Sequence, residues 1–105
     1  MNQTLTKLAD ILEDRKQADP ASSYVAALYA QGPDAILQKI GEEATEVVIA
    51  GKNQQAEQII CETADLWFHS LIFLAQQGLH PDQVLTELSR RSGQSGLAEK
   101  AARTT

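Results

Sequence analysis

The feature that most constrains the fold of this 105-residue chain is a helical spacing of apolar residues, interrupted only by short segments that contain glycine or proline. This spacing predicts helices over residues 4–17, 33–51, 54 or 55 to 77, and 81–91, with a final helical turn over residues 97–103. Segment 21–33 can carry a short turn or helix, but its two serines, glycine and proline favour an irregular connection. We find no alternating strand pattern and no repeat. The sequence therefore predicts an all-α, four- to five-helix bundle, a single domain over residues 1–105.

The second and third predicted helices are joined by a short link at Gly51-Lys52-Asn53, so they should be antiparallel neighbours. Each carries an acidic motif inside an otherwise apolar pattern: ExxE ends at Glu46, and ExxD begins at Glu62. Carboxylates three or four positions apart project from one face of a helix. The two acidic faces can therefore meet part-way along the hairpin. The four carboxylates of these two motifs are Glu43, Glu46, Glu62 and Asp65.

Unpaired carboxylates at close range repel one another, and a divalent cation with oxygen ligands is the simplest reason to bring them together. Ligation by carboxylates alone favours Mg²⁺ or Mn²⁺ over zinc or a redox metal. A ferritin-like di-iron site would need a histidine where Asp65 stands. His69, four residues later, is more typical of a core or supporting group than of a ligand. The other alternative is two solvated acidic faces, common on bundle surfaces.

Charge and composition exclude several function classes. The formal net charge is −5, which argues against general nucleic-acid binding because a phosphate backbone attracts an excess of lysine and arginine. No segment approaches the roughly 20 consecutive apolar residues that span a bilayer, and residues 1–17 lack the apolar core of a secretory signal. We expect a cytoplasmic protein with no nucleic-acid or membrane partner. Trp67 is predicted to pack in the core.

Three strings of the sequence, KIGEEATEVVIAGK, ETADLWFHSLIFLAQQGL and VLTELSRR, closely resemble the phosphoribosyl-ATP pyrophosphatase family of histidine biosynthesis. That family belongs to the MazG-like, all-α nucleoside triphosphate pyrophosphohydrolases. The ExxE and ExxD pair is shared by the wider group. The SY pair at Ser23 and Tyr24, together with the C-terminal SGLAEKA, is similar to the phosphoribosyl-ATP branch. The resemblance spans nearly the whole chain.

The resemblance implies Mg²⁺-dependent hydrolysis of phosphoribosyl-ATP to phosphoribosyl-AMP and pyrophosphate, the second step of histidine biosynthesis. It implies that Glu43, Glu46, Glu62 and Asp65 hold the metal. Glu42 would be the catalytic group, as an additional ligand or by orienting water. The expected substrate contacts are Lys39, Lys52, Ser23 and Tyr24. Three of them also have an ordinary structural alternative: a helix ion pair for Lys39, a cation at a helix C-terminus for Lys52, and an anchor of the loop to the bundle for Tyr24.

A homodimer is also expected, from the resemblance and from the run Leu71 to Leu74, which reads as a helix buried on most of its sides. Two alternatives from other classes are a house-cleaning pyrophosphohydrolase with the same metal site and a non-catalytic helical association module. Faster hydrolysis of dTTP or dUTP than of phosphoribosyl-ATP would indicate the first alternative. An absence of saturable Mg²⁺ or Mn²⁺ binding would indicate the second.

Overall fold

The structure, a computed structural model, describes residues 3–93, which fold into five α-helices and one short 3₁₀ turn. No strand occurs among these residues, so the predicted all-α bundle is confirmed. The predicted helical turn over residues 97–103 lies outside the described part. The elements in chain order are α1 (Gln3–Asp14), the 3₁₀ turn (Arg15–Gln17), α2 (Tyr24–Gln31), α3 (Pro33–Lys52), α4 (Ala56–Gln76) and α5 (Pro81–Arg91).

Helices α3 and α4 form the predicted hairpin and pack against each other more extensively than any other pair of elements. Only three residues separate the end of α3 at Lys52 from the start of α4 at Ala56. Within this link Gln54 has a φ of 55°, the left-handed conformation that helps a chain reverse direction tightly. So short a link makes the two long helices antiparallel.

The prediction of an irregular connection over residues 21–33 was wrong for its larger part, because α2 is a helix of eight residues. Ser23 lies at its N-cap, where its Oγ accepts a hydrogen bond from the amide of Ala26 at 3.1 Å. Gly32 ends the helix with a φ of 97°, and Pro33 begins α3 immediately afterwards. The serine, glycine and proline therefore mark the two ends of a short helix.

The core lies where α1, α2, α3 and α4 meet. Leu12, Ile36 and Ile72 are its most deeply buried large side chains, each at most 1% exposed. The other members of the buried cluster are Val25, Leu28, Leu71 and Ala75. The core binds α2 to the bundle, which explains why this short segment is helical without a strong helical pattern of its own.

The outer face of α4 departs from the predicted burial. Trp67 is 61% exposed and Ile60 is 69% exposed, so the prediction that Trp67 packs in the core was wrong for the single chain. Trp67 instead borders an open apolar cleft of about 450 Å³ between α1, α4 and α5, which Leu74, Val84 and Leu88 also line. The helix pattern identified apolar residues correctly but could not show which of them a neighbouring helix covers.

Helix α5 begins as predicted at His80-Pro81-Asp82. The imidazole Nδ1 of His80 accepts from the amide of Asp82 at 3.0 Å, and Gln83 Oε1 accepts from the amide of His80 at 2.8 Å. Together these bonds form a capping box. Within residues 3–93, no helix has the length and apolarity needed to cross a membrane.

Candidate active site

The α3–α4 hairpin brings three carboxylates together. One oxygen from each of Glu43, Glu62 and Asp65 lies within 4.8 Å of the others. Glu43 comes from α3, and the other two lie three residues apart on α4. Glu43 and Glu62 are partly buried, whereas Asp65 is exposed. We call these three side chains the acidic cluster.

Two polar neighbours partly offset the charge of the acidic cluster. Lys39 Nζ lies 3.6 Å from Glu43 Oε1, and Gln58 Nε2 donates to Glu62 Oε1 at 2.7 Å. One cation beside three carboxylates leaves an excess of negative charge at short range. The donor set is entirely oxygen, partly buried and convergent, which suits a hard divalent cation such as Mg²⁺ or Mn²⁺.

Glu46, the fourth residue of the predicted metal set, is not part of the acidic cluster. Its side chain is exposed, although it lies one turn after Glu43 on α3, a rise of about 4.5 Å along the helix. The structure therefore brings three of the four predicted ligands together, with Glu46 near one edge.

Glu42, the predicted catalytic group, is exposed and held by two neighbours on its own helix. Gln38 Nε2 donates to its Oε2 at 3.1 Å, and Lys39 Nζ donates to its Oε1 at 3.3 Å. These hydrogen bonds, with the charge of Lys39, hold the pKa of Glu42 below its usual range. Glu42 is therefore an anion near neutral pH and a weaker base than an unperturbed glutamate.

The two predicted lysine contacts lie in different places. Lys39 is paired with both Glu42 and Glu43, and its hydrogen bond to Glu42 raises its pKa. Lys52 lies in the last turn of α3, nine residues after Glu43, which is about 13 Å along the helix. Lys39 is therefore beside the acidic cluster. Lys52 lies at the C-terminus of α3, beside the link to α4, where a cation is favourable.

Tyr24, the second residue of the SY pair, lies at the mouth of the site and is 53% exposed. Desolvation raises the pKa of its hydroxyl, the charge of Lys39 lowers it, and the charges of Glu43, Glu42 and Asp65 raise it further. The side chain is therefore close enough to the acidic cluster to respond to its charge. Ser23 contributes indirectly, because its N-cap bond begins the helix that carries Tyr24.

His69 forms a link to the site that the sequence did not predict. Its expected position in the core is confirmed, since the residue is 6% exposed. Its Nε2 lies 2.7 Å from the hydroxyl of Tyr24, and its Nδ1 lies 2.8 Å from the carbonyl oxygen of Asp65. Tyr24 and His69 are 45 residues apart, so no local pattern could have indicated this pairing.

A second groove lies beside Tyr24. It has a volume of about 500 Å³ and is lined by Arg15 and two serines as well as Tyr24. Two other basic side chains, Lys16 and Arg91, lie in ion pairs: Lys16 with Glu13 at 3.0 Å, and Arg91 with Glu87 at 3.0 Å. Arg15, which lines this groove, is placed to contact a ligand that extends past Tyr24.

An all-α bundle with a carboxylate cluster on its longest hairpin has the features of the all-α pyrophosphohydrolases, the class that the acidic motifs indicate. Comparison with known proteins identifies the family within this class. The family model for phosphoribosyl-ATP pyrophosphohydrolase matches residues 5–92.

Two relatives agree with that match. A phosphoribosyl-ATP pyrophosphatase of Methylococcus capsulatus is 62% identical over 99 residues, which cover 94% of each chain. A phosphoribosyl-ATP pyrophosphatase of Verminephrobacter eiseniae is 58% identical over an alignment of 106 residues, covering 94% of this chain and 79% of the relative. The chain belongs to the phosphoribosyl-ATP pyrophosphohydrolase family. It is thus an enzyme of the hydrolase class, not a non-catalytic association module.

Proposed function

We propose that this protein hydrolyses phosphoribosyl-ATP to phosphoribosyl-AMP and pyrophosphate, the second step of histidine biosynthesis, with Mg²⁺ as its cofactor and Mn²⁺ as a substitute. One water molecule is consumed and one phosphoanhydride bond is broken. The observation that carries the proposal is the convergence of Glu43, Glu62 and Asp65 in a member of this family. A triphosphate would be repelled by three carboxylates unless a divalent cation lay between them.

Glu43, Glu62 and Asp65 would hold the cation, and Glu46 would join them through a change of side-chain rotamer, since it is exposed and one turn away. The cation, when bound, neutralises phosphate charge and polarises the phosphorus that is attacked. Gln58 keeps the carboxylate of Glu62 oriented through its 2.7 Å hydrogen bond. The partial burial of Glu43 and Glu62 strengthens their attraction for a cation relative to fully solvated carboxylates.

Glu42 and Lys39 would act on the reacting groups beside the cation. Glu42 stays anionic because Gln38 and Lys39 stabilise its charge, so it can orient water by accepting a hydrogen bond. Lys39 contacts both Glu42 and Glu43, so its ammonium would also attract a phosphate oxygen held beside the cation. Lys52 is assigned a helix-capping role in this proposal because of its distance from the acidic cluster.

The groove that contains Arg15 would take the phosphate of the added phosphoribosyl group. This phosphate distinguishes the proposed substrate from an ordinary nucleoside triphosphate, and arginine is well suited to bind it through two parallel hydrogen bonds. The groove begins at Tyr24, next to the acidic cluster, so one ligand can extend across both.

The proposal is tested with purified protein and a panel of substrates. We expect phosphoribosyl-ATP to be split faster than ATP, dUTP or dTTP, with loss of activity in EDTA. Faster hydrolysis of dUTP or dTTP would favour the house-cleaning pyrophosphohydrolase instead. Hydrolysis in ¹⁸O-labelled water would show which phosphorus is attacked.

Variants of the acidic cluster test the assigned ligands. Glu62→Gln and Asp65→Asn should lose most activity and saturable Mg²⁺ binding in calorimetry. The matched control is Glu57→Gln, an exposed glutamate in the first turn of the same helix and outside the acidic cluster. Unchanged Mg²⁺ binding in the two cluster variants would contradict the assignment.

We also propose that the protein is a homodimer, in which a second copy covers the cleft at Trp67. Monomeric proteins rarely expose contiguous large apolar surfaces. Around the 450 Å³ cleft, Trp67, Val84 and Leu88 are 61%, 43% and 54% exposed. A second copy would bury this continuous apolar surface without requiring any new charged contact.

The single tryptophan makes the dimer directly measurable. We expect its fluorescence emission to shift to longer wavelength on dilution, together with a fall in mass by light scattering. Leu88→Lys should give a monomer at concentrations where the control Leu37→Lys, also exposed but outside the cleft, remains a dimer. A wild-type protein that is monomeric at all concentrations would refute the dimer.

A further inference from the structure

His69 is the one buried polar or charged side chain among residues 3–93, and both of its ring nitrogens have partners. Its Nδ1 faces the backbone carbonyl of Asp65 at 2.8 Å. A carbonyl oxygen can only accept, so Nδ1 carries a hydrogen and donates it. In the neutral imidazole the other nitrogen, Nε2, is then an acceptor. With the imidazole neutral, the hydroxyl of Tyr24 is the donor in the 2.7 Å bond to Nε2.

The ring of His69 is also held by aromatic neighbours on two sides. The rings of Tyr24 and His69 meet edge to face, with centroids 5.8 Å apart and an interplanar angle of 87°. The ring of Phe68 makes a similar contact at 5.7 Å and 88°. Burial, two hydrogen bonds and two ring contacts together leave the imidazole little freedom to rotate or to exchange its tautomer.

The fixed tautomer has a consequence for Tyr24. A phenol has one hydrogen to donate and two lone pairs, and His69 takes that hydrogen. Tyr24 as a residue is 53% exposed and lies beside the acidic cluster. Its oxygen can then only accept a hydrogen bond from a ligand. An ionised phosphate oxygen is an acceptor and cannot be its partner. A sugar hydroxyl is a donor and can.

We propose that His69 is a positioning residue, which fixes Tyr24 as a hydrogen-bond acceptor for a sugar hydroxyl of the substrate. Asp65 connects the His69–Tyr24 pair to the acidic cluster, because its carboxylate belongs to the cluster while its backbone carbonyl orients His69. The arrangement thereby sets the position of a sugar relative to the cation site. The inference rests on the proposed function, since it requires a nucleotide substrate.

Kinetics of a double-mutant cycle test the inference with phosphoribosyl-ATP. Tyr24→Phe and His69→Leu should each raise KM, with kcat/KM falling between about twofold and tenfold, as expected for one lost hydrogen bond. The value of kcat should change less than twofold, because a sugar contact remote from the broken bond binds substrate and transition state alike. In a protein that already carries Tyr24→Phe, adding His69→Leu should leave KM unchanged.

His69→Gln is the conservative variant, because its amide oxygen can accept from Tyr24 as Nε2 does, and it should restore most of the affinity lost in His69→Leu. If His69 had only a structural role, His69→Leu would lower kcat/KM by the same factor with and without Tyr24→Phe, and His69→Gln would recover none of the lost affinity. Either result would overturn the inference.

A spectroscopic measurement keeps the test independent of activity and of the folding of His69→Leu. In ¹⁵N spectra of the wild-type imidazole, we expect Nδ1 protonated and Nε2 unprotonated, with the Nε2 resonance moving in Tyr24→Phe. The opposite tautomer, or no change at Nε2, would refute the positioning role even if the enzyme is active. Wild-type protein that does not split phosphoribosyl-ATP would refute the proposed function without changing these spectra.

Discussion

Repulsion within the acidic cluster should make the metal-free protein less stable than a variant with one fewer charge. Two unit charges 4.8 Å apart repel by about 0.9 kcal/mol in a dielectric near that of water. Glu62 has two such neighbours, and screening at physiological ionic strength reduces their combined effect to about 1 kcal/mol. Glu62→Gln should therefore raise the free energy of unfolding in EDTA by about 1 kcal/mol, since its amide oxygen can still accept from Gln58.

The assay is thermal unfolding followed by circular dichroism, in EDTA and in saturating Mg²⁺. For a domain of this size, 1 kcal/mol corresponds to a rise in Tm of about 5 °C. Mg²⁺ at one hundred times its Kd should stabilise the wild type by about 2.7 kcal/mol, and most of that gain should be absent in Glu62→Gln. The order of stability of the two proteins should therefore reverse between EDTA and Mg²⁺.

Glu46→Gln is the matched control in EDTA, because Glu46 is exposed and outside the acidic cluster. Its Tm in EDTA should stay within about 2 °C of the wild type, as for most surface substitutions. Charge crowding does not destabilise the metal-free protein if Glu62→Gln is no more stable than the wild type in EDTA, or if Glu46→Gln raises Tm by the same amount.

Three further outcomes concern the scaffold. Hydrogen bonds from the arginines that follow Glu87 lower its pKa to about 2, so its contribution to stability is present above pH 4.5 and lost as the pH falls toward 2. In Glu87→Gln, the free energy of unfolding measured in urea should therefore depend less on pH across that range. Gly41→Ala, in mid-helix with nothing within 4 Å of the added Cβ, should stabilise by about 0.5–1 kcal/mol, whereas Gly32→Ala, at a φ of 97°, should destabilise. Ile72 is fully buried, so Ile72→Val should lower the free energy of unfolding measured in denaturant by about 1 kcal/mol. Val48 is 63% exposed, so the control Val48→Ala should change it little.

The long helices were predictable because each contains enough turns for apolar spacing to be unambiguous. Helix α3 was expected to begin at Pro33 and does so, and α5 begins after His80 as expected. Helix α2 was missed because eight residues give barely two turns, and Ser23 and Gly32 indicate a loop as readily as two helix caps. Its helical state depends on burial of Val25, Ala26 and Leu28 against the rest of the bundle.

The acidic cluster was partly predictable for a similar reason. A three-residue link makes α3 and α4 antiparallel, so the approach of Glu43 to Glu62 and Asp65 follows from spacing along two helices. The exposed position of Glu46 does not follow from spacing, because it depends on how far each helix is rotated about its axis against the other. Metal binding by any of these residues remains a prediction.

The sequence by itself determined the helical class, the hairpin that carries the carboxylates, and the family, because these depend on local periodicity, link length and residue identity. The tertiary structure alone decided that Tyr24 meets His69 and that Trp67 faces an open cleft. Each of these depends on the relative rotation and offset of helices distant in the chain. Packing of the whole core fixes those quantities, and no segment read alone contains them.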